Sequence, residues 1–553
     1  MITFKREHLT DETNIRLVEP AGRPIAQVWA WLVVLLVMVL TSFIRYRLID
    51  LPLERDEGEY ACAGQMLLHG IAPYQLGWNM TFPGTYLAYT LGMAAFGQTA
   101  AGIHATLIVV NCLTIVLLFL LGQRLFGTTA GLAACAAYGV LSVSPAILGL
   151  AAHADDFVLL FALWGALVLW KAEEFYRWHA MFFSGLFFGL ALLMGEQGIG
   201  FCLFAPAILV WHGIQTGALF KPVLFRKLFF LGAGILLPVL LVCFYLNQTG
   251  LLPKFLFWTK YAGSYAAENT ARDGLHNFLQ DDHKKWAICF PYLGFLLVSL
   301  PFVMRDRALR SQIIFAVAFL FFSALGTPVD FDFREHYFIL ILPALAILIG
   351  LAIVSLQFAT SNRVFKVVPS VVCILILGWS LFQQRQFFFQ LPPTAVSRIL
   401  YDGDTPMADM PAVGNYIRAH SGPVASMAVI GSDPELYFYA QRRPATGYLC
   451  TYPLMERQPY ASQMQAEMVS QIQTNKPEFL VFVSNPDSWH IQPGSDRSIF
   501  NWFTRYSGAS YERVALLDQI SPNKTVFVTG DRLKNYHPDG RNYIGVFRRK
   551  AGI

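Results

Sequence analysis

Eleven apolar runs recur along the chain, and no water-soluble fold accommodates them. They lie near residues 27–44, 103–121, 130–148, 156–171, 180–194, 199–213, 228–246, 287–304, 311–326, 337–357 and 367–382. A helix needs about 20 apolar residues to cross a bilayer; several of these runs are shorter, and pairs such as 180–194 and 199–213 need a tight turn, which Gly195 and Gly198 supply. Charged residues make up only 14% of the sequence, against roughly 25% in soluble proteins. The expected fold is a polytopic α-helical membrane protein with about 11 spanning helices.

The basic residues give an orientation. With the N-terminus cytoplasmic, the inside loops carry Arg124, Lys171, Arg177, Lys221, Arg226, Lys227, Arg305, Arg307, Arg310, Arg363 and Lys366. The short outside loops at 149–155, 195–198 and 327–336 carry only Arg334. Two outside loops are long. The first, 45–102, contains a second apolar stretch, Gly84–Gly97, too short to span and expected to lie at the interface or re-enter it. The other, Asn247–Trp286, mixes aromatic and charged residues.

From about Gln390 the pattern changes to short apolar runs at Ala425–Ile430, Phe479–Val483, Val514–Leu517, Thr525–Val528 and Tyr543–Phe547. Helical patterns at Met410–Ala419 and Tyr460–Thr474 separate them, which predicts a C-terminal soluble α/β domain on the outer face. The expected division is a cytoplasmic segment 1–26, a membrane module 27–389 and an outer domain 390–553. The first apolar run lacks a small-residue cleavage site and reads as a retained anchor. The net charge of +5 is scattered, so no nucleic-acid partner is expected. The eight cysteines form no CxxC pair, so neither a disulfide framework nor a thiolate zinc site is indicated.

Chemistry-bearing residues gather on the outside. Arg55-Asp56-Glu57-Gly58-Glu59-Tyr60 places three carboxylates directly after the first span. Acids there also suit the N-terminus of a helix predicted at Tyr60–His69. Asn79-Met80-Thr81-Phe82-Pro83-Gly84 opens the interfacial helix, where Pro and Gly also serve as punctuation. His153-Ala154-Asp155-Asp156 sits at the mouth of the fourth span, where one acid serves as a cap and leaves one spare. Phe331-Asp332-Phe333-Arg334-Glu335-His336-Tyr337 stands at the mouth of the tenth, where Arg334 and His336 suit an anionic headgroup and aromatics suit anchoring. Acids and cations drawn to one membrane face fit a reaction on a lipid-linked anionic substrate.

In these motifs the chain resembles the GT-C glycosyltransferases, with the bacterial protein O-mannosyltransferase and aminoarabinose-transferase group (glycosyltransferase family 39-like) the nearest branch. Leu53-Glu54-Arg55-Asp56-Glu57-Gly58-Glu59-Tyr60-Ala61 is the most specific stretch, followed by Phe333–Phe338; Pro434-Glu435-Leu436-Tyr437 also looks like bacterial members. The resemblance implies a multi-pass enzyme of the bacterial inner membrane. It would move a sugar from a polyprenyl-phosphate donor to a glycan, lipid or protein acceptor on the outer face. It implies Asp56 as catalytic base, Asp155 or Asp156 as a second acid of the site, and Tyr60 and Tyr337 near the donor phosphate. Glu57, Arg272, Arg334 and His336 complete the expected substrate-binding set. The sequence departs from the family at two places: Thr81, and Gly195-Glu196-Gln197, stand where relatives carry lysines that face the donor phosphate. Arg272, Lys254, Lys260 and Arg334 are the candidate replacements.

Polyprenyl phosphate is a good leaving group whose charge needs stabilising, while the acceptor hydroxyl needs a base. One base and in-line displacement predict inversion; a double displacement would draw its nucleophile from Asp155 or Asp156. No cofactor is expected, a carboxylate-bound divalent ion being the one open alternative. The competing function classes are a transporter or flippase for lipid-linked sugars and a non-catalytic binder of them. A transporter would carry ionisable residues deep in several spans, or repeated halves, and neither is evident.

Overall fold

The computed structural model describes residues 24–175, 178–268, 287–306, 308–327, 334–401, 406–540 and 542–552. Each of the eleven apolar runs is occupied by helix: α1 (Pro24–Arg47), then, after two short helices, α4 (Ala100–Phe126), α5 (Thr128–Leu141), α6 (Ala154–Phe175), α7 (Trp178–Met194), α8 (Gly198–Gln215), α9 (Pro222–Gln248), α11 (Phe290–Arg305), α12 (Arg310–Gly326), α13 (Leu342–Phe358) and α14 (Arg363–Gln383). Among the described residues six helices are long and apolar enough to cross a membrane: those at 25–47, 100–126, 198–215, 222–248, 335–358 and 363–383. The helices at 128–141, 178–194, 290–305 and 310–326 are apolar but shorter. α7 and α9 pack backbone to backbone: a Cβ on Gly185 would lie 2.1 Å from the Leu231 carbonyl, and one on Gly234 2.1 Å from that of Phe182. Small residues allow such approach where apolar burial alone does not drive helices together.

The run at 130–148 ends as helix at Leu141, because Pro145 cannot continue the hydrogen-bond ladder. A 3-10 turn, Pro145–Ile147, follows and Leu148 takes φ 50°. The carbonyls this leaves are met by Arg45, which donates to Ser142 O (3.0 Å) and Gly149 O (2.5 Å). The tenth run likewise begins as a 3-10 turn, Glu335–Leu340, before α13.

Two short helices fill the first long loop. α2 (Arg55–Leu68) begins five residues earlier than the predicted Tyr60–His69, because Glu54 and Glu57 form a capping box. The Glu57 amide donates to Glu54 Oε1 (2.8 Å) and the Glu54 amide to Glu57 Oε2 (3.3 Å). The acidic cluster is therefore the first turn of a helix. α3 (Pro83–Phe96) coincides with the short apolar stretch, and 14 residues of helix reach only about 21 Å. Its first turn docks on the end of α7, where Thr85 Oγ1 donates to Met194 O (2.5 Å). α10 (Leu252–Glu268) lies in the loop after α9.

The C-terminal region folds as the expected α/β domain. After the short helices α15 (Arg385–Phe389), α16 (Pro393–Leu400) and α17 (Met410–Ala419) come β1 (Ser426–Ile430), α18 (Glu435–Ala440), β2 (Arg443–Pro444), α19 (Tyr452–Met455), α20 (Ala461–Asn475), β3 (Phe479–Ser484), α21 (Ser498–Ser510), β4 (Tyr511–Ser521), β5 (Lys524–Thr529) and β6 (Asn542–Arg549). The sheet order is β2-β1-β3-β6-β4-β5. β1 pairs in parallel with β2 and β3, and the other pairings are antiparallel. The domain sits over the end of the bundle that carries α2. Arg47, at the end of α1, donates to the carbonyls of Phe387, Phe388 and Leu391 at 2.6–2.7 Å, and the Leu53 amide donates to Tyr439 Oη (2.8 Å).

Candidate active site

Four acids stand within two turns of the start of α2, and their environments differ. Glu54 is the N-cap and is buried. Glu57 is fully buried and fully engaged: His104 Nε2 lies 3.1 Å and the Ala152 amide 2.6 Å from its Oε1. Burial pushes its carboxyl up, but His104 and the Ala152 amide outweigh that and hold it below the usual range. Glu57 thus clasps α2 to α4 and to the segment before α6. Glu59 is buried on a neighbouring face, accepting from Tyr86 Oη (2.6 Å) and from the Asn79 side-chain amide. Burial, then the nearby charge of Asp56, pushes it up to about 7 against those hydrogen bonds. Only Asp56 keeps an accessible carboxylate, its side chain 32% exposed.

Around Asp56 the chain brings together residues far apart in sequence. Arg334 Nη1 lies 3.9 Å from Asp56 Oδ2. The imidazoles of His153 and His336 stack, 4.2 Å apart and 10° from parallel. His336 Nε2 is 4.0 Å from Asp155 Oδ2, and Tyr337 stands edge-on to the His336 ring at 4.5 Å. Burial holds His153 below the ordinary histidine value despite the acids around it, so it is neutral at pH 7. Both its ring nitrogens are buried without a hydrogen-bond partner.

The adjacent acids at the start of α6 diverge. Asp155 turns to His336 and the Asp56 group. Asp156, equally buried, faces Arg45, the side chain that secures the end of α5. Tyr60 is buried against the rings of Tyr86 and Tyr89 at 6.3 and 5.4 Å. Arg272 lies outside the described residues. Lys254 does not join the Asp56 group: its Nζ is 3.8 Å above the Trp78 ring. At Thr81, one of the two positions where the resemblance leads to an expected lysine, the carbonyl accepts from Tyr74 Oη (2.8 Å).

Three participants carry no role in the sequence reading. His153 stands beside two acids, and a histidine there is itself a signal. Glu59 belongs to the acidic motif and is set apart only by burial. Arg55 bridges to the C-terminal domain, with Nε 3.5 Å from Asp433 Oδ1 and Nη1 donating to Tyr452 Oη (3.0 Å), contacts across almost four hundred residues that no local pattern announces.

Ligand atoms of Asp56, His153 and His336 lie within 4.8 Å of one another. Two imidazoles and a carboxylate are a donor set suited to a zinc-like divalent ion. Chemically the cluster offers an accessible carboxylate able to accept a proton, beside a guanidinium and imidazoles able to face an anion.

Residues 82–245 match the model of the family described as dolichyl-phosphate-mannose-protein mannosyltransferase. No curated protein matches the chain by sequence. The crystal structure of ArnT from Cupriavidus metallidurans bound to undecaprenyl phosphate is similar with a TM-score of 0.58 at 15% identity, covering 95% of this chain and 99% of that one. The apo structure of the same protein gives 0.56 at 15% identity, over 95% and 98%. At that identity the likeness is one of fold, and it extends over the membrane helices and the C-terminal domain together. The chain is a polytopic membrane protein with the fold of the GT-C glycosyltransferases.

Proposed function

We propose that the protein transfers a sugar from a polyprenyl-phosphate donor to an acceptor hydroxyl at the outer face of the bacterial inner membrane, with Asp56 as the general base. The observation that carries the reading is the selective exposure of Asp56: its helix neighbours are buried and engaged, while its carboxylate stands open beside Arg334 and the His153–His336 stack. The undecaprenyl phosphate bound to the structurally similar ArnT supports the donor class, and the Lys/Arg distribution supports the orientation.

In this mechanism Asp56 accepts the acceptor's hydroxyl proton as its oxygen attacks the anomeric carbon. The bond from that carbon to the phosphate oxygen breaks, and polyprenyl phosphate departs with the electron pair. One displacement inverts the anomeric centre. Arg334 stabilises the charge developing on the departing phosphate, with His336 and Tyr337 donating hydrogen bonds to that phosphate, in place of the lysines that the resemblance implies. Asp155 orients His336. Glu57 and Tyr60 hold α2 in place. No step requires a cofactor.

The test is transfer of radiolabelled sugar from polyprenyl-phosphate sugars by the purified protein, with a membrane extract as acceptor. Wild type should label a product and Asp56→Asn should not. Transfer retained by a well-folded Asp56→Asn protein would overturn the assignment of the base.

A further inference from the structure

A second cleft opens where the first loop, α10 and the C-terminal domain meet. It encloses about 320 Å³ and is lined by Trp78, Lys254, Phe257, Trp258, Tyr448 and Glu467, among others. Three chain segments build it. The Trp78 amide donates to Gly447 O (2.7 Å), so the loop runs as a bridge against the domain. The Trp78 indole then lies across Gly447, where any Cβ would come within 2.4 Å of the ring. Tyr448 meets Trp78 edge-on at 5.2 Å, and Trp258 meets Tyr448 at 6.4 Å. Glu467 is fixed by a hydrogen bond from Tyr448 Oη (2.8 Å) and interacts electrostatically with Lys254.

The walls are aromatic, yet polar groups interrupt them. Lys254 offers ammonium donors and Glu467 offers carboxylate acceptors. A lipid tail would satisfy the rings and strand these groups, at a desolvation cost. A sugar ring has an apolar C–H face to lay on an aromatic surface and hydroxyls around its edge that both donate and accept. The volume sits at the low end of small-molecule pockets, about 300–1,000 Å³, which suits a short saccharide.

We infer that this cleft is a subsite for a saccharide unit of the acceptor, so that the acceptor is a glycan or glycolipid. The inference rests on the transferase reading and deepens it by naming the acceptor class. The cleft wall is tied to the helix that carries the base: Asn79, next to Trp78, donates to Glu59, one turn along α2 from Asp56. A ring seated on Trp78 is thus one residue removed from the helix that carries the base.

The experiment is saturation-transfer NMR on the full chain in nanodiscs free of glycosidic detergent. The probes are maltose, cellobiose and N,N′-diacetylchitobiose, with a serine- and threonine-rich decapeptide as the comparison. At least one disaccharide should show transfer, with affinity falling tenfold or more in both Lys254→Met and Glu467→Gln. Asp56→Asn should bind that disaccharide like wild type, so failure of the transferase reading and failure of the subsite are read separately. Absence of binding by all three sugars, binding indifferent to both substitutions, or peptide binding that depends on Lys254 and Glu467 would each overturn the inference.

Discussion

Gly58 and Glu435 touch through their backbones: a Cβ on Gly58 would lie 2.5 Å from Glu435 Cβ, 2.6 Å from its amide nitrogen and 2.7 Å from its Cα. Gly58 is two residues from Asp56 on α2, and Glu435 opens α18 of the C-terminal domain. The domain is therefore keyed to the helix that carries the proposed base. Beside the contact, Arg55 reaches Asp433. Glu435 is fully buried, and burial, reinforced by Asp433, raises its carboxyl well above the usual range against the pull of Arg55.

Gly58→Ala should lever α18 off α2, since backbone atoms cannot yield as a side-chain tip can. Overpacking of this kind costs about 1–3 kcal/mol. The expected outcome is faster proteolysis of the C-terminal domain and transfer reduced at least tenfold. Gly294→Ala is the control, because nothing lies within 4 Å of that position. Equal behaviour of the two variants would show that the docking does not position the site.

Arg334 lies 3.9 Å from Asp56 with its side chain 37% exposed, and charge stabilisation at a departing phosphate is the role assigned to it. Removing one such donor typically costs 10²–10³ in kcat; at a half-exposed position a loss of about tenfold to a hundredfold is expected for Arg334→Ala. Arg334→Lys should recover part of it, since charge returns without the planar fork. Kinetics with varied donor concentration would decide: unchanged kcat and donor KM in Arg334→Ala would remove Arg334 from the site.

What could be read from sequence follows from how local each signal is. The apolar runs and the alternating strands are written in contiguous residues, and helices and strands occupy them. The prolines at 145 and 343 show where helix ends or begins, yet the 3-10 turns beside them emerge only in three dimensions. For the site, the acidic motif was legible but its division of labour was not. Asp56 and Glu57 are adjacent in sequence, and only the approach of His104 and Ala152 turns one into a clasp. Likewise Asp155 and Asp156 differ through Arg45 and His336, on elements more than one hundred residues away.

The Asp56, His153 and His336 donor set yields a prediction about metals. If Asp56 acts as a base, an ion held there occupies the lone pair that must take the proton. EDTA should therefore leave transfer unchanged, while Zn²⁺ should inhibit it, and His153→Ala should blunt the inhibition at least tenfold. Loss of transfer on chelation, restored by adding Zn²⁺ or Mn²⁺, would make Asp56 a ligand and sink its role as the base.

Glu59 predicts how stability depends on pH. In the folded chain it holds its proton up to about pH 7, whereas its ordinary value is 4.5. Between those values the folded state binds more protons than the unfolded one, so this group's contribution to stability falls as pH rises through the window and levels off above it. At about 1.4 kcal/mol per unit, the loss is on the order of 3 kcal/mol. Glu57, held below the usual carboxylate range, works in the opposite direction in more acidic solution. Glu59→Gln isolates the first effect, because the amide still offers Tyr86 an acceptor and has no proton to lose. Thermal unfolding in nanodiscs from pH 4.5 to 8 should show the variant gaining on wild type as pH rises, with the difference saturating near pH 7. A difference independent of pH would show that Glu59 is ionised in the fold, and that Tyr86 and Asn79 stabilise a carboxylate there.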